Sequence, residues 1–236
     1  VLVTGGSNGI GLAVARAYSE AGAEVVITGR RAAAADYDHD LGAFDYRQLD
    51  VASRDALVAL AGSLDRLDIL VNNAGGAQGD EWGHDGFDQS LDINLSSAFH
   101  LSSACKSLLQ ASDVEGGGSI IGIASMTSYF GYEWTPGYGA AKAGLVQLMK
   151  TLGISWGPNG IRANAVAAGM TRTNLTAPAI DGMPEMIEVM FSRQGLKRVG
   201  EADDKSSAVL IKNSPAATWN TGQTLAVDNG FYNGMG

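Results

Sequence analysis

The chain has 236 residues, of which 45% are hydrophobic and 17% are charged, and its mean hydropathy is +0.02. This composition can form a sizeable core and excludes an intrinsically disordered chain. The net charge of −9 argues against nonspecific binding of nucleic acid, which needs clustered lysine and arginine. The apolar runs are shorter than the roughly 20 residues that a membrane helix needs, so we expect no membrane span.

The first residues and the single cysteine bear on the compartment. Residues 1–4, Val-Leu-Val-Thr, are typical of a buried strand and lack the basic region of a signal peptide. Cys105 has no second cysteine with which to form an internal disulfide, which fits a reducing environment. We therefore expect a cytoplasmic protein.

Short apolar runs rich in β-branched residues alternate along the chain with helical patterns. Strands are predicted at residues 2–3, 24–28, 46–49, 69–71, 120–123, 163–166 and 224–227. Apolar positions spaced by three and four predict helices at residues 11–21, 55–64, 87–109, 138–156 and 202–212. Such alternation is typical of a doubly wound, Rossmann-type α/β fold, here a parallel seven-stranded sheet with helices on both faces.

No composition break, repeat or linker divides the chain, so we predict a single domain over residues 1–236. Residues 170–196 contain no clear strand and are rich in methionine. We interpret this segment as a substrate lid.

A glycine-rich turn, Thr4-Gly5-Gly6-Ser7-Asn8-Gly9-Ile10-Gly11, joins the first strand to the first helix. Glycines in such a turn let the backbone approach a pyrophosphate, while the free N–H groups of the helix N-terminus bind its charge. The alternative is an ordinary glycine-rich turn, and the GxxxGxG spacing differs from the common GxGxxG fingerprint. We predict a dinucleotide site whose loop residues are Gly5, Ser7, Asn8, Gly9, Ile10 and Gly11.

The second strand ends in Thr28-Gly29-Arg30-Arg31 and carries no carboxylate at its end. In the common fingerprint an acidic residue binds the ribose of NAD, whereas an arginine accommodates the 2′-phosphate of NADP. Gly29 leaves room for that phosphate, and the Arg30 guanidinium can bind it through two hydrogen bonds. We therefore favour NADP(H) over NAD(H), bound by Gly29, Arg30 and Arg31. The alternative is that both arginines are solvated surface charges.

Further motifs follow in order. Asn72-Asn73-Ala74-Gly75 comes after the strand at 69–71, and Tyr138-Gly139-Ala140-Ala141-Lys142 opens the helix at 138–156. The others are Asp50-Val51, Asn94, Ser125, Asn164-Ala165-Val166, Gly169, Thr221-Gly222-Gln223 and Asp228-Asn229-Gly230. Together the motifs resemble the short-chain dehydrogenase/reductase family over essentially the whole chain. The resemblance implies an NAD(P)-dependent oxidoreductase that moves a hydride between nicotinamide and a ketone or secondary alcohol.

The resemblance also implies the catalytic residues. A tyrosine hydroxyl has a pKa of about 10 and needs a cationic neighbour to act as an acid/base near neutral pH. Lys142 lies one helical turn after Tyr138, so we expect it to lower the Tyr138 pKa. Ser125 would bind the substrate oxygen, and Asn94 would position a water that relays a proton from Lys142. Alternatively, Tyr138 and Lys142 are a surface pair, and Asn94 satisfies buried backbone groups.

Other residues are assigned to the cofactor by the same resemblance. Asp50 and Val51 would contact the adenine, although Asp50 is also suited to capping the helix near Ser53. The remaining assignments are Asn73, Ala74 and Gly75 along the cofactor, Lys142 at the nicotinamide ribose, and Gly169, Thr171 and Thr173 at the nicotinamide. Asn72 is expected to be structural.

The chain departs from the family pattern at two positions. Ala168-Gly169 replaces the usual Pro-Gly after the sixth strand, and we expect a looser turn because proline's fixed φ is lost. Asn229 stands where the family often has glycine, and we expect little effect there.

The expected substrate end contains soft, apolar side chains. Its residues are Ser125, Met126, Tyr132, Met170 and Met186. Flexible methionines adapt to varied ligands, so we predict an apolar cyclic or aromatic substrate. Alternatively, these side chains pack the core or an interface.

Two other functions are consistent with these residues. One is reduction of a 3-oxoacyl thioester on acyl carrier protein, with Arg193, Lys197 and Arg198 facing the acidic carrier. The other is a non-catalytic NAD(P)-sensing protein.

Neither the histidines nor the cysteine have metal-ligand spacing. His39, His84 and His100 are not grouped with Cys105 or with carboxylates, so we predict no metal site. The small and apolar residues of the helix at 138–156 predict a homotetramer or homodimer built partly on this helix and on the helix that bears Cys105.

Overall fold

A parallel sheet of seven strands organises residues 1–233, the part of the chain that the computed structural model describes. The strands are β1 (Leu2–Val3), β2 (Val26–Gly29), β3 (Asp45–Gln48), β4 (Ile69–Asn72), β5 (Gly118–Ser125), β6 (Ile161–Ala168) and β7 (Thr224–Val227). Their order is β3-β2-β1-β4-β5-β6-β7, and every neighbouring pair is parallel. The predicted doubly wound α/β fold is confirmed. The strand order reverses between β1 and β4, and such a switch point opens a crevice at the carboxyl ends of the strands.

Helices cover both faces of the sheet. They are α1 (Gly9–Glu20), α2 (Arg54–Gly62), α3 (His84–Leu91), α4 (Ser97–Ala104), α5 (Lys106–Gln110), α6 (Pro136–Trp156), α7 (Ala177–Gly182), α8 (Pro184–Arg193) and α9 (Ala202–Asn213). One apolar cluster, which includes Val14, Ile27 and Val209, joins α1 and α9 to the sheet. Another, which includes Leu101 and Met149, packs α2, α4 and α6 together against the sheet. Within residues 1–233, no helix has both the length and the hydropathy needed to cross a membrane.

The helix predicted at residues 87–109 is divided in the structure. A wide π-turn spans Asp92–Ser96, and the chain turns again at Cys105. The Asn94 side-chain amide donates to the Ser90 carbonyl oxygen over 2.9 Å. In a regular α-helix that carbonyl would accept the backbone N–H of Asn94 instead. The wider turn is therefore coupled to Asn94, and π-turns frequently occur at functional sites.

The described connection between β2 and β3 contains no α-helix, only a short 3₁₀ turn at Ala34–Asp36. Tyr37, Leu41 and Phe44 pack against the sheet in place of a helix. Because the connection is short, it brings the Tyr37 side chain back to the carboxyl end of β2.

Residues 170–196, the predicted lid, contain α7 and α8 and no strand longer than a single bridge. That bridge pairs Thr171 with Gly200 in parallel. The two ends of this segment are therefore held together beside β6.

Candidate active site

The glycine-rich loop turns tightly at the carboxyl end of β1. Gly5 and Gly9 adopt left-handed backbone angles, with φ of +63° and +50°. A Cβ on Gly11 would lie 2.3 Å from the Gly5 carbonyl oxygen, so only glycine fits there. The Asn8 side chain caps α1 by accepting the Gly9 N–H over 2.7 Å. The first turn of α1 contains no acidic residue, which leaves its N-terminus suited to an anion.

The loop after β4 is bonded directly to the loop after β1. The Thr4 hydroxyl oxygen accepts the backbone N–H groups of Asn73 and Ala74, each over 3.0 Å. The Asn73 side-chain amide donates to the carbonyl oxygens of Thr4 (2.9 Å) and Gly5 (3.2 Å). The two loops therefore form one wall of the crevice. Asn72 lies behind this wall and donates to the Ser102 hydroxyl over 3.1 Å, in agreement with a structural role.

At the end of β2, the room expected above Gly29 is already occupied. A Cβ on Gly29 would lie 2.3 Å from the Tyr37 hydroxyl oxygen and 2.9 Å from the Ser7 hydroxyl oxygen. The Tyr37 hydroxyl accepts the Arg31 N–H over 3.1 Å. The prediction that Gly29 leaves open space for a phosphate is therefore wrong, because the short β2–β3 connection folds Tyr37 onto this position.

The two arginines after Gly29 have different surroundings. The Arg31 guanidinium lies 4.8 Å from the centroid of the Tyr37 ring and donates to the Asp36 carbonyl oxygen. Arg30 is exposed and forms no ion pair with any residue of the described range 1–233. Arg30 is therefore available to an anion at the end of β2, whereas Arg31 would first have to leave the ring of Tyr37.

Asp50 and Val51 lie at the start of the connection from β3 to α2. The Asp50 carboxylate accepts the Ala52 N–H over 3.0 Å, and Val51 is half-buried. The cap of α2 is Ser53, whose hydroxyl oxygen accepts the Ala56 N–H over 3.3 Å. The alternative in which Asp50 caps α2 is therefore wrong, and Asp50 is an exposed residue.

Ser125, Tyr138 and Lys142 come together between β5 and α6. Ser125 ends β5 and is buried, its hydroxyl oxygen accepts the Thr127 N–H over 3.2 Å, and it lies close enough to Tyr138 to lower the pKa of that phenol. Tyr138 lies in the first turn of α6, and the Lys142 ammonium lies 5.5 Å from the centroid of its ring. Lys142 is buried and donates to the Ile123 carbonyl oxygen over 2.8 Å. The structure therefore places the three predicted side chains in one cluster and not on an exposed helix face.

Burial dominates the pKa values of this cluster. Burial raises the pKa of Tyr138, the interaction with Ser125 lowers it, and the nearby Glu81 carboxylate raises it. Burial also lowers the pKa of Lys142 to about 8. The Tyr138 pKa is thus raised and not lowered as expected, because desolvation of the phenol outweighs the favourable contacts.

Asn94 closes the inner end of the cluster. Its side chain accepts the Gly76 N–H (2.9 Å) and donates to the Gly76 carbonyl oxygen (3.0 Å), so it does satisfy buried backbone groups. Beside it lies a cavity of about 10 Å³ lined by Thr4, Asn72, Asn94, Ser97 and Lys142, among others. This volume is close to that of one water probe, and its polar lining offers hydrogen-bond partners. A Cβ on Gly75 would lie 2.4 Å from the Asn94 side-chain oxygen, so Gly75 is needed for this close approach.

The turn after β6 is held by packing in place of proline. The Gly169 N–H donates to the Val227 carbonyl oxygen over 3.0 Å, and a Cβ on Gly169 would lie 2.6 Å from the Cα of Asp228. Thr171 is buried, and its carbonyl oxygen accepts the Thr176 hydroxyl over 2.5 Å. Further along, Thr173 faces the glycine-rich loop, since a Cβ on Gly9 would lie 3.0 Å from its methyl group.

The predicted substrate residues lie on two sides of the cluster. Met126 follows Ser125 in a 3₁₀ turn, and the Tyr132 hydroxyl lies 3.6 Å from the sulfur of Met186 in α8. This contact joins the loop after β5 to the lid. Met170 lines a cavity of about 210 Å³ together with Gln194, Gly200, Lys205 and Asp228, at the base of the lid.

Three residues of the site were not identified from the sequence. Thr4 begins the glycine-rich turn, and Tyr37 follows the Arg30-Arg31 pair. In both segments we assigned the functional roles to neighbouring residues instead. Glu81 lies in an irregular stretch between β4 and α3, where no pattern marks a buried carboxylate. Within residues 1–233, no group of three or more His, Cys, Asp or Glu side chains is placed to hold a metal ion.

A family model described as enoyl-(acyl carrier protein) reductase matches residues 5–232. The chain belongs to the short-chain dehydrogenase/reductase family. A 3α-hydroxysteroid dehydrogenase of Mediterraneibacter gnavus is 34% identical over 242 residues, which are 96% of this chain and 94% of that protein. The family resemblance is confirmed, and the chain is an oxidoreductase of a family that uses NAD(P)(H).

Solved structures of other short-chain dehydrogenases/reductases are similar throughout. One from Mycobacterium ulcerans has a TM-score of 0.88 at 28% identity, covering 98% of this chain and 88% of that chain. A protein of Agrobacterium tumefaciens, provisionally described as a 2-deoxy-D-gluconate 3-dehydrogenase and solved with bound NADP, has a TM-score of 0.83 at 33% identity. This match covers 98% of the present chain and 94% of the relative's chain.

Proposed function

We propose that this chain interconverts ketones and secondary alcohols with NADP(H), and that Tyr138 is its acid/base residue. The observation that carries the proposal is the convergence of Ser125, Tyr138 and Lys142 beside the loops that follow β1 and β4. Folding does not require a tyrosine to lie beside both a buried serine and a buried lysine, so this grouping indicates a functional role. Grouped titratable side chains in a crevice are typical of an active site.

The crevice fits a dinucleotide. The glycine-rich turn of residues 5–11 and the N-terminus of α1, whose first turn has no acidic residue, suit a pyrophosphate. At the ribose end, β2 is followed by Arg30 and carries no carboxylate at its end. The NADP bound to the relative from Agrobacterium tumefaciens supports NADP(H), although NAD(H) fits the same loops. The residues that would hold the cofactor are Gly5, Ser7, Asn8, Gly9, Ile10, Gly11, Gly29, Arg30, Arg31, Asp50, Val51, Asn73, Ala74, Gly75, Tyr138, Lys142, Gly169, Thr171 and Thr173.

When bound, the cofactor supplies or accepts a hydride at the substrate carbon. In reduction, the Tyr138 hydroxyl donates its proton to the substrate oxygen, and in oxidation the phenolate takes that proton back. The Ser125 hydroxyl donates a hydrogen bond to the same oxygen and stabilises the charge that develops there. A water in the small polar cavity beside Asn94, together with Lys142, would relay a proton from solvent to Tyr138 after each reduction.

The side chains around the cluster favour an apolar substrate. Trp82, Trp134 and Met183 are large apolar side chains that are exposed near the lid and the loop after β5. Exposed apolar side chains grouped in this way are typical of a site that binds an apolar ligand. Tyr132 and Met186 meet across the cleft. A relative acts on hydroxysteroids, which are apolar and cyclic. We therefore propose an apolar cyclic or aromatic ketone as substrate, covered by residues 170–196 acting as a lid.

Docking of an acidic carrier protein is less well supported. Arg198 is paired with the Asp204 carboxylate over 2.7 Å, and the Lys197 ammonium donates to the carbonyl oxygens of Phe191 and Gln194. Of the three basic residues predicted to face the carrier, two are therefore engaged by other groups of this chain. This observation favours a small free substrate over a carrier-bound thioester.

The test is absorbance of NADPH or NADH with purified protein and a panel of cyclic ketones, 1,2-diketones and 3-oxoacyl esters. Tyr138→Phe is expected to lower kcat by about 10²- to 10⁴-fold, because the proton donor is lost. Tyr232→Phe is the matched control, since that exposed tyrosine packs on Tyr129 and not on the cluster.

If neither cofactor is consumed although both bind, the chain is a sensor and the proposal fails. Turnover restricted to the 3-oxoacyl esters would replace the apolar cyclic substrate with the thioester function.

A further inference from the structure

Glu81 is a fully buried carboxylate outside the residues assigned to catalysis. Its side chain is 1% exposed. One carboxylate oxygen accepts the Gln78 N–H (2.9 Å) and the Ser90 hydroxyl (2.6 Å). The other accepts the backbone N–H of Tyr138 over 2.8 Å, across 57 residues of sequence. None of the ion pairs found within residues 1–233 includes Glu81.

This carboxylate takes the place of a local cap on α6. Thr135 precedes the first turn of α6, where a threonine side chain ordinarily accepts the N–H three residues on. Here the Thr135 side chain makes no capping bond, and its hydroxyl is buried without a partner. Tyr138 is the residue three positions after Thr135, and its N–H is bound by Glu81 instead. A negative charge at the N-terminus of a 21-residue helix is also favoured by the helix dipole.

The contacts of Glu81 tie three elements to the tyrosine. Ser90 belongs to α3, and its carbonyl oxygen accepts the Asn94 side chain, so Glu81 and Asn94 are joined through one residue. A Cβ on Gly137 would lie 2.9 Å from the Cβ of Ser90, which shows how closely α3 and α6 approach. The position of Tyr138 is therefore determined by contacts with α3 as well as by its place in α6.

We infer that Glu81 is a positioning residue for Tyr138, which it holds in place by accepting the Tyr138 backbone N–H. The inference rests on the proposed role of Tyr138 as acid/base. The groups that face Tyr138 are the Glu81 carboxylate, the Lys142 ammonium and the Ser125 hydroxyl. The carboxylate favours the neutral phenol, which is the form that donates a proton during reduction, and this agrees with the direction of the Tyr138 pKa.

The first variant is Glu81→Gln, which has one acceptor oxygen in place of two and no charge. We expect kcat to fall by about 10- to 100-fold, as a small misplacement of a catalytic group can cause, with little change in NADPH binding. The midpoint of Tyr138 ionisation should move to lower pH, so the reductase rate should begin to fall at lower pH. That midpoint is measured by NMR of protein labelled with tyrosine ¹³Cζ, assigned by comparison with Tyr138→Phe.

Ser90→Ala is the control, because it removes a hydrogen bond to the same carboxylate and leaves the charge and the bond to Tyr138. Its Tyr138 midpoint should equal that of the wild type. If Glu81→Gln and Ser90→Ala lower kcat alike and leave the midpoint in place, Glu81 is only structural and the inference is overturned.

Two further arms keep the test decisive. If Glu81→Gln does not fold, Glu81→Asp takes its place, because it keeps the charge on a shorter side chain. Glu81→Asp should lower kcat and leave the midpoint of Tyr138 ionisation almost unchanged. An unchanged kcat would overturn the inference. If the wild type turns over no ketone, the proposed function fails. The NMR midpoints then still decide whether Glu81 controls Tyr138.

Discussion

The Lys142 ammonium lies 5.5 Å from the centroid of the Tyr138 ring and donates to the Ile123 carbonyl oxygen, with its pKa lowered by burial to about 8. This lysine therefore costs stability in the folded state near neutral pH. The unfolded chain binds more protons than the folded one between pH 8 and the ordinary lysine value of 10.5. Over that window, the contribution of Lys142 to the free energy of unfolding rises with pH.

Lys142→Met should consequently stabilise the protein at pH 7 while abolishing turnover. We expect a gain of roughly 1–2 kcal/mol in the free energy of unfolding, the removed desolvation cost being partly offset by the lost bond to Ile123. The gain should shrink as the pH rises from 8 to 10.5. Urea unfolding at several pH values measures it, with the exposed Lys150→Met on α6 as control. A gain that does not change with pH would contradict this account.

Arg30 should distinguish the two cofactors. It is exposed and unpaired within the described residues, at the end of a strand that lacks a carboxylate. Arg30→Ala should weaken NADPH binding by about 10- to 100-fold, the effect of one lost charge-assisted interaction, and leave NADH binding within about twofold. Both dissociation constants are measured by titrating the protein with each cofactor and following its intrinsic tryptophan fluorescence. Arg47→Ala is the control, since Arg47 is paired with Asp45 on β3. Equal losses for both cofactors would show that Arg30 does not contact the 2′-phosphate.

Gly11 should tolerate no side chain. Its missing Cβ would lie 2.3 Å from the Gly5 carbonyl oxygen, which is backbone and cannot rotate away. Gly11→Ala should lower the free energy of unfolding by about 2 kcal/mol or more and remove cofactor binding. Gly62→Ala, in α2 with nothing within 4 Å, should instead stabilise the protein by about 0.5–1 kcal/mol through helix propensity. Thermal melting with and without NADPH compares the two, and equal effects would refute the packing argument.

Asn229 should restrain the lid, contrary to the little effect expected from its sequence position. Its φ is +59°, and its side-chain oxygen accepts the Leu196 N–H over 2.9 Å at the end of the lid. Asn229→Gly keeps the backbone angle and loses this bond, so hydrogen exchange over residues 190–200 should accelerate with little loss of global stability. Asn229→Ala should also lower the free energy of unfolding by about 1–2 kcal/mol, because alanine is strained at this angle. If both variants leave the exchange unchanged, Asn229 does not restrain the lid.

The family and fold were predictable from the sequence because they depend on local patterns. A buried parallel strand needs a short apolar run, and a helix needs apolar positions at spacings of three and four, so all seven strands appear in the sequence within a few residues of their places. The spacing of Tyr138 and Lys142 is local in the same sense, since one helical turn separates them. The division of the helix at 87–109 was missed because it depends on the Asn94 side chain competing for the Ser90 carbonyl oxygen.

The electrostatics of the site were decided only by tertiary structure. Desolvation of the partly buried Tyr138, and the placing of Glu81 against its backbone from 57 residues away, raise a pKa that the adjacent Lys142 was expected to lower. Likewise, Tyr37 occupies the space above Gly29 because the β2–β3 connection folds back onto the strand. Residue spacing along a helix specifies which side chains are neighbours. The pKa of a group depends on desolvation and on charges from every element packed around it, and those are determined only when the chain has folded.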